Sequence, residues 1–311
     1  MTMPDTALTK ALQRVRENGY VLLQDWPENV ASARELGLVE AGGAVRLPTD
    51  VCLHDLDSIR KDLPDQLSVQ LYDYIDSTNS AMLRRHEVRR HSQAGAANHL
   101  ILTEFQSAGR GRRGKVWLGD YGRNIAMTLG MEMQADLKAL GGLSSVVGLA
   151  LVQALEVYGL DAQLKWPNDV WVDKQKLAGI LVELVPTNTG TLAVVGVGVN
   201  VDLSNTQAAK IDQAVTSLKH QGCPVTRDTM VSTISTSISE SFEVFVRKGF
   251  RAFVEAFNAV HCMQNQDANL LIGHETVAGI VRGVDVTGGL IFEDKGGTRI
   301  VTSGEVSLRP A

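Results

Sequence analysis

The most chemically distinctive stretch of the chain is a short loop rich in glycine and arginine, which we call the Gly-Arg loop. Its residues are Gly109, Arg110, Gly111, Arg112, Arg113 and Gly114. Glycine lets the backbone adopt positive φ and approach a ligand closely, and the planar guanidinium group suits phosphate oxygens. An apolar run from Ala96 to Phe105 precedes the loop and predicts a buried strand. We therefore predict an anion-binding loop that leaves a sheet, with a flexible segment for nonspecific nucleic-acid binding as the alternative.

A second polar set lies between two apolar segments, residues 163–173 and 176–184. Its members are Lys165, Asn168, Asp169 and Lys176. A Pro-Asn-Asp corner and a tight turn would bring all of them to one end of a sheet. Lysines supply point charges for phosphate, and Asn and Asp supply the oxygen ligands that Mg²⁺ prefers. The set would fit a nucleotide and its metal ion, and an ordinary hairpin corner with solvated lysines is the alternative.

A third candidate site lies where a predicted strand, Val69–Ile75, meets a predicted helix that runs to about His91. The junction, residues 76–80, has the sequence Asp-Ser-Thr-Asn-Ser and supplies several candidates for the helix N-cap. Its hydroxyl and amide groups could also hydrogen-bond a neutral polar ligand. The residue types alone leave both interpretations open.

The elements that must hold these residues follow from periodicity and turn signals. Helices are predicted over 8–18, 29–36 and 143–158, and two more lie on either side of Gly249 within 227–259. Strands are predicted over 124–131 and 191–201, and a hairpin with a Gly-Gly turn over 38–47. Gly196 and Gly198 indicate close approach of a ligand or a neighbouring backbone to the last strand. After residue 269, short strands alternate with turns, as is typical of a small β-barrel. We predict an N-terminal module over 1–66, a central α+β domain over 67–264 and a barrel over 265–311.

The composition is that of an ordinary globular protein: 311 residues, a formal charge of −5 and 44% hydrophobic content. Cys52, Cys223 and Cys262 are far apart and form no Cys-x-x-Cys, so neither a disulfide framework nor a zinc site is indicated. The N-terminus lacks a signal-peptide pattern, and the longest apolar run, 146–157, is too short to span a bilayer. We expect a cytoplasmic protein with no membrane contact.

The helices and hairpin of the N-terminal module are similar to a small winged-helix module. Such a module reads DNA with a basic helix placed in the major groove. Between Gly37 and the hairpin there is no room for that helix, and acidic residues slightly outnumber basic ones through Leu47. We therefore do not expect specific DNA binding.

Together these segments resemble a bacterial biotin–protein ligase of the bifunctional ligase and repressor type, over nearly the whole chain. The segments that carry the resemblance are Ile75–Asn79, Glu104–Gln106, Ala108–Gly114 with Trp117, Lys165–Asp169, Lys176–Leu184 and Gly304–Arg309. The resemblance implies an α+β fold with a central mixed sheet related to class II aminoacyl-tRNA synthetases, a winged-helix-like N-terminal module and an SH3-like C-terminal barrel. It also implies two reactions: biotin and ATP form biotinyl-5'-AMP, and biotin then passes to a lysine of the biotin carboxyl carrier protein of acetyl-CoA carboxylase.

The resemblance further implies roles for individual residues. It places Lys176, Arg112 and Arg110 in catalysis. The biotin-binding residues would be Ser77, Thr78, Asn79, Gln106, Gly109, Arg110, Gly111, Arg112, Arg113, Gly114, Trp117, Lys176 and Gly179. The ATP-binding residues would be Arg112, Arg113, Trp117, Asn168, Asp169, Lys176, Asn200 and Arg309. Asp169 would also contact Mg²⁺.

One alternative function and the oligomeric state stay open at this stage. A lipoate or octanoate ligase shares the fold, although it has less reason to carry the Gly-Arg loop. A homodimer is compatible with the resemblance. The chain departs from the family pattern in its shortened N-terminal module and at Ser303, where the family often has glycine.

Overall fold

The structure is a computed structural model that describes residues 6–89, 98–135, 140–272, 275–302 and 306–310. The helices in these ranges are α1 (Ala7–Asn18), α2 (Val30–Glu35), α3 (Leu56–Lys61), α4 (Thr78–Arg89), α5 (Leu143–Glu156), α6 (Asn205–Ala208), α7 (Arg227–Lys248) and α8 (Val254–Val260). The strands are β1 (Tyr20–Leu22), β2 (Val39–Ala41), β3 (Ala44–Arg46), β4 (Ser68–Tyr72), β5 (His99–Thr103), β6 (Asn124–Met133), β7 (Gln163–Lys165), β8 (Asp169–Val172), β9 (Gln175–Thr187), β10 (Gly190–Asn200), β11 (Asp267–Ile272), β12 (Glu275–Val284), β13 (Leu290–Asp294), β14 (Gly297–Val301) and β15 (Val306–Pro310). The strands form three sheets.

The central sheet has seven strands in the order β4-β5-β6-β10-β9-β8-β7. Neighbouring strands are antiparallel except β4 and β5, which are parallel, so the predicted mixed sheet is confirmed. Helices α5 and α7 pack on one face, where Val195, Val197 and Val199 of β10 point into the main core. Helix α4 covers part of the other face over a smaller core that includes Ile101 and Val194. The second face is therefore the one that has room for a ligand.

The N-terminal sheet has the order β1-β3-β2. Helix α1 ends at Gly19, which adopts φ 79°, as the sequence predicts. Its N-cap, Thr6, was not predicted. The predicted Gly-Gly turn joins β2 to β3, with Gly42 and Gly43 at φ 59° and 72°. Strand β1 was not predicted. Between β1 and β2, a stretch described without gaps, α2 is the one α-helix, and it has only six residues.

The C-terminal strands form an antiparallel sheet in the order β14-β13-β12-β11-β15, which confirms the predicted all-β architecture. Its Val281, Phe292 and Leu308 belong to the main core, so this sheet packs directly on the central domain. Trp166, between β7 and β8, donates its indole N–H to the carbonyl of Gly288 at 3.2 Å. The corner that carries Asn168 and Asp169 is therefore held against the C-terminal sheet.

A buried charge network joins the N-terminal module to the central domain. Its centre is Glu104, which follows β5 and has a side chain with no solvent exposure. Arg16 of α1 donates to Glu104 at 2.7 Å and to Asp73 at 2.5 Å, and Arg227 of α7 donates to the second Glu104 oxygen at 2.7 Å. The backbone N–H of His54 also donates to Glu104, at 2.7 Å. Because the partners come from three elements, this network fixes the N-terminal module on the central domain.

Tyr121, a few residues after the Gly-Arg loop, makes a second connection between the same units. Its ring is buried in the apolar core of the N-terminal module. Its backbone N–H donates to the carbonyl of Leu36 at 2.8 Å, and its hydroxyl donates to Asp73 at 3.0 Å. The N-terminal module thus holds the segment that follows the loop.

Some features differ from the sequence-based expectation. The predicted strand 69–75 ends at Tyr72, because the chain turns there and Ile75 makes only an isolated bridge to Gln106. Helix α3 was not predicted; it packs on α7 and places Ile59 in the main core, and the boundary proposed after residue 66 stays a prediction. The predicted helix end at His91, the strand start at 96–97, and Ser303, Gly304 and Glu305 lie outside the described residues.

None of the helices in the described ranges combines the length and the apolar composition that crossing a membrane requires.

Candidate active site

An open cleft lies on the α4 side of the central sheet. Its walls are the start of α4, the Gly-Arg loop, the corner between β7 and β8, and the C-terminal sheet. All of the residues to which the resemblance assigns a role line it except Gly109 and Gly114. Lys165, Asn168, Asp169 and Lys176 emerge together there, as the spacing predicts. The fold therefore brings the three polar segments of the sequence to one place.

Asn79 is buried at the start of α4 with its amide orientation determined by its neighbours. Its Nδ2 group donates to a carboxylate oxygen of Glu183 at 2.8 Å and to the carbonyl of Leu181 at 3.2 Å. The hydroxyl of Thr128 on β6 donates to Oδ1 at 2.6 Å. Since both amide hydrogens are used, Asn79 can offer a ligand only the remaining lone pair of Oδ1.

The amide of Gln106 is oriented the other way from that of Asn79, with its oxygen paired inside the protein and its NH₂ group left for a ligand. Its Oε1 accepts from the backbone N–H of Thr78 at 2.9 Å and from the Thr78 hydroxyl at 3.2 Å. In the described part of the chain no acceptor is paired with the Nε2 group, which leaves it available to donate. This end of the cleft thus presents an acceptor at Asn79 and a donor at Gln106. The pair suits a neutral ligand that carries both N–H and C=O groups.

Glycines on the cleft face of β9 and β10 make room for the side chains of Asn79 and Trp117. A Cβ at Gly196 would lie 2.2 Å from Asn79 Oδ1, and a Cβ at Gly198 would lie 2.4 Å from the Trp117 ring. Gly179 pairs with Gly198 across the two strands, and its Cβ would meet the same ring at 2.9 Å. The sequence predicted close approach of a ligand or a backbone, whereas in the structure the side chains of Asn79 and Trp117 approach these glycines.

Residues 109–117 form a hairpin that carries the Gly-Arg loop. The carbonyl of Gly109 accepts from the N–H of Trp117 at 2.9 Å, and a 3₁₀ turn over Arg112–Gly114 forms the tip. A Cβ at Gly109 would lie 2.3 Å from the Trp117 carbonyl oxygen, so only glycine lets the two arms come this close. Gly114 adopts φ 72°, which also favours glycine. The two predicted glycines that do not line the cleft therefore shape the loop.

Cations and a carboxylate meet at the other end of the cleft. Lys176 Nζ lies 2.8 Å from Asp169 Oδ1 and 5.6 Å from the centroid of the Trp117 ring. Arg112 of the Gly-Arg loop donates to Asn168 Oδ1 at 3.1 Å. These contacts connect the loop to the corner between β7 and β8. A bound anion could therefore be contacted by both the loop arginine and the strand lysine.

The backbone around Lys176 is held on both sides. Its N–H donates to the carbonyl of Ala214, and its carbonyl accepts from the N–H of Thr216, each at 3.0 Å. Asn200, which was expected to contact ATP, lines the cleft and donates Nδ2 to the carbonyl of Thr216 at 3.1 Å. Asn200 thus supports the segment that positions Lys176.

Lys165 is a cleft cation that is only 6% exposed. Its Nζ lies 4.4 Å from the centroid of the Trp171 ring, and no carboxylate of the described residues is within ion-pair distance. Burial lowers the pKa of Lys165; the charge of Asp169 opposes this shift, and the charges of Arg309 and Lys176 reinforce it. A buried ammonium group without a paired carboxylate is stabilised when an anion binds beside it. Lys165 is therefore suited to a phosphate group.

The donor set limits how a metal ion could be held. Among the described residues, Asp169 is the single carboxylate that lines the cleft, and no group of three His, Cys, Asp or Glu side chains is arranged to bind a metal. Mg²⁺ is commonly bound by one or two carboxylates together with substrate phosphates. The residues therefore fit an ion that arrives with a nucleotide and gains Asp169 as a ligand.

Two polar residues that hydrogen-bond Asn79, Thr128 and Glu183, were not predicted from the sequence. Thr128 is the one hydroxyl residue in the predicted strand over 124–131, which could have marked it. Glu183 follows Gly179 and Leu181 at alternate positions of β9, and alternate residues of a strand share a face. Both signals identify a face of the sheet without showing which helix covers it.

Comparison with known proteins gives the family. The profile of the Biotin/lipoate A/B protein ligase family matches residues 71–200, and that of the Biotin protein ligase C terminal domain matches residues 265–309. The chain is 30% identical over 306 residues to the bifunctional ligase/repressor BirA of Escherichia coli, with 97% of this chain and 91% of the relative covered. It is 32% identical over 238 residues to the biotin–[acetyl-CoA-carboxylase] ligase of Paracoccus denitrificans, with 74% and 96% covered.

A solved structure with a similar fold is the biotin protein ligase from Aquifex aeolicus in complex with biotin and ATP. The TM-score is 0.64 at 25% identity, with 78% of this chain and 99% of that chain covered. The sequence similarity covers both family profiles, over residues 71–200 and 265–309, and almost the full length of the BirA relatives. This chain therefore belongs to the biotin protein ligase family, as its motifs predicted.

Proposed function

We propose that this protein is a biotin–[acetyl-CoA-carboxylase] ligase. It activates biotin with ATP to biotinyl-5'-AMP and transfers biotin to a specific lysine of the biotin carboxyl carrier protein. The observation that carries the proposal is that one cleft presents an ordered acceptor and donor, Asn79 and Gln106, at one end and the cations Lys176 and Arg112 at the other.

The hydrogen-bonding end favours biotin over lipoate or octanoate. The ureido group of biotin has N–H donors for Asn79 Oδ1 and a carbonyl that can accept from Gln106 Nε2. The dithiolane ring of lipoate and the alkyl chain of octanoate have neither group. They would cover Gln106 Nε2 without giving it an acceptor, at a cost of about 1–3 kcal/mol. We place Ser77, Thr78, Asn79 and Gln106 around the biotin ring.

The cationic end suits the activation step. A carboxylate oxygen of biotin attacks the α-phosphorus of ATP, the bond to the bridging oxygen breaks, and pyrophosphate leaves. The reaction brings anions together, so Lys176, Arg112 and Arg110 would stabilise the transition state electrostatically. Lys165, Arg113 and Arg309 add positive charge around the nucleotide. Mg²⁺ would neutralise charge on the phosphates, with Asp169 as its protein ligand.

The transfer step requires no nucleophile from this chain. The neutral amine of the carrier lysine attacks the acyl carbon of biotinyl-5'-AMP, the amide bond forms as the nitrogen loses a proton to solvent, and AMP leaves with the electron pair of the broken bond. The Gly-Arg loop and Trp117 would shield the mixed anhydride from water until the carrier arrives.

Pyrophosphate exchange tests the proposal directly. Radiolabelled pyrophosphate should enter ATP when biotin is present and stay at background with lipoate or octanoate. Mass spectrometry of an apo carrier domain should then show one added biotinyl group. Exchange that depends on lipoate or octanoate, and not on biotin, would favour the alternative ligase.

Replacing Gly198 by alanine should weaken biotin binding on the order of tenfold, or about 1.4 kcal/mol, because the new Cβ displaces the Trp117 ring, which the family resemblance places in contact with biotin. Calorimetric titration with biotin measures the effect. Circular dichroism and thermal unfolding should show a folded protein. Binding as tight as that of the wild type would mean that the ring position does not matter for biotin.

We further propose that the N-terminal module does not bind specific DNA, although several relatives are named as repressors. Helix α2 has six residues, and its one basic residue, Arg34, is paired with Glu40 at 3.2 Å. A gel shift with the promoter region of the organism's own biotin genes, with biotin and ATP present, should show no competitor-resistant complex at physiological salt. A specific complex would overturn this view.

The carrier protein is the macromolecular partner that this activity requires. A second copy of the chain is the other partner that the family resemblance allows. Sedimentation of the protein, alone and with biotin and ATP, tests whether a homodimer forms. A monomer under both conditions would contradict the homodimer.

A further inference from the structure

Glu183 of β9 lies beside the cleft and has no role in the activity proposed above. We infer that Glu183 is a positioning residue that orients Asn79 for biotin and holds Arg110 of the Gly-Arg loop while the cleft is empty. The inference rests on the proposed biotin ligase function for its first part. Its second part concerns the loop in the absence of any ligand.

The first role follows from the hydrogen bonds of Asn79. An amide side chain can rotate by a half turn and exchange its donor and acceptor with little change in shape. Here the Glu183 carboxylate can only accept, and it takes one Nδ2 hydrogen at 2.8 Å. The carbonyl of Leu181 takes the other at 3.2 Å. Glu183 therefore favours the orientation in which Oδ1, and not the NH₂ group, faces the ligand.

The second role follows from the ion pair between Glu183 and Arg110. The same carboxylate oxygen that accepts from Asn79 also pairs with the guanidinium of Arg110. Arg110 in addition lies 3.4 Å from the hydroxyl of Ser80 on α4. These contacts connect the Gly-Arg loop to the sheet and to α4 on the biotin side of the cleft. Arg112 connects the other side through Asn168 at 3.1 Å.

The two roles are coupled because they share one carboxylate. A ligand anion that draws Arg110 toward itself must compete with Glu183 for the guanidinium. Once Arg110 has moved, Glu183 still holds Asn79. Glu183 would thus determine how readily the Gly-Arg loop leaves its resting position, while the orientation of Asn79 stays fixed. The ion pair is partly exposed, with 39% and 29% of the two side chains accessible, so salt should weaken it.

Limited proteolysis of the ligand-free protein tests the second role. Trypsin can cut after Arg110, Arg112, Arg113 and Lys115, and mass spectrometry identifies these cuts. Glu183→Gln keeps the shape of the side chain but removes its charge, and should raise cleavage in the loop about fivefold, the size expected for a partly exposed ion pair. Added salt should raise cleavage in the wild type more than in this variant. The matched control is Glu132→Gln on β6, an exposed carboxylate with no ion pair among the described residues.

Calorimetric titration with biotin tests the first role. Glu183→Gln retains an oxygen that can accept from Asn79, whereas Glu183→Ala leaves one Nδ2 hydrogen without this partner and the amide held only by Leu181 and Thr128. We expect the alanine variant to bind biotin at least about fivefold more weakly than the glutamine variant. Thermal unfolding of both should show intact folds. A merely structural role would not separate the two variants in affinity while their stabilities agree.

The outcomes are distinguishable from failure of the proposed function. If wild-type protein does not bind biotin, the ligase proposal fails, and the proteolysis still decides the loop contact. Equal loop cleavage in wild type and Glu183→Gln would overturn the second role. Equal biotin affinity in Glu183→Gln and Glu183→Ala would overturn the first.

Discussion

Replacing Lys176 by alanine should slow biotin-dependent pyrophosphate exchange by two to three orders of magnitude and leave the fold intact. Lys176 is the cation that pairs with Asp169 at 2.8 Å, and its backbone is held on both sides. Removing one fixed group that stabilises transition-state charge typically costs about 10²–10³-fold in rate. The measurement is exchange at saturating biotin and ATP, with circular dichroism as the check on folding.

Two controls separate the possible causes of that loss. Lys174→Ala removes an exposed lysine from the turn that precedes β9 and should leave the exchange rate unchanged. Lys176→Arg keeps a positive charge beside Asp169. A higher exchange rate in Lys176→Arg than in Lys176→Ala would show that the charge itself is needed. Exchange at the wild-type rate in Lys176→Ala would remove Lys176 from the reaction.

Replacing Glu104 by glutamine should lower the free energy of unfolding at neutral pH by about 3–5 kcal/mol, the usual cost of removing one partner from a buried ion pair. The Glu104 side chain is fully buried and accepts from Arg16 and Arg227, each at 2.7 Å. A neutral amide leaves both guanidinium groups without their shared anion. Denaturant unfolding of the two proteins measures the difference. Glu40→Gln removes the exposed Arg34 pair and should cost less than about 1 kcal/mol.

The same network predicts how stability depends on pH. Burial alone would raise the pKa of Glu104, but the charges of Arg227, His54 and Arg16 outweigh it and lower this pKa from 4.5 to about 2. A carboxyl group with a lowered pKa in the folded state stabilises that state above its unfolded pKa. This contribution should therefore be complete above pH 4.5 and disappear between pH 4.5 and about 2. The stability difference between wild type and Glu104→Gln should shrink over that range, and a difference independent of pH would contradict the assignment.

The amino-acid sequence by itself determined the local elements and the residue types of the site. The stop of helix α1 at Gly19 was predictable because it depends on adjacent residues, and the same holds for the turn at Gly42 and Gly43. The Gly-Arg loop and the Lys165–Asp169 corner were recognisable because their glycine, arginine, lysine and aspartate residues lie close together in the sequence. These residue types indicate anion and metal binding without any knowledge of the fold. Family membership also followed from these segments.

Only the tertiary structure decided which atoms each residue presents. Whether Asn79 accepts or donates depends on Glu183 and Thr128, which reach it from strands far away in the chain. Glu104 became the joint between two units because Arg16 and Arg227, 88 and 123 residues away, converge on it. The sequence shows the type of each side chain, whereas hydrogen-bond direction and ion pairing are set by partners that only strand order and helix packing bring within about 3 Å.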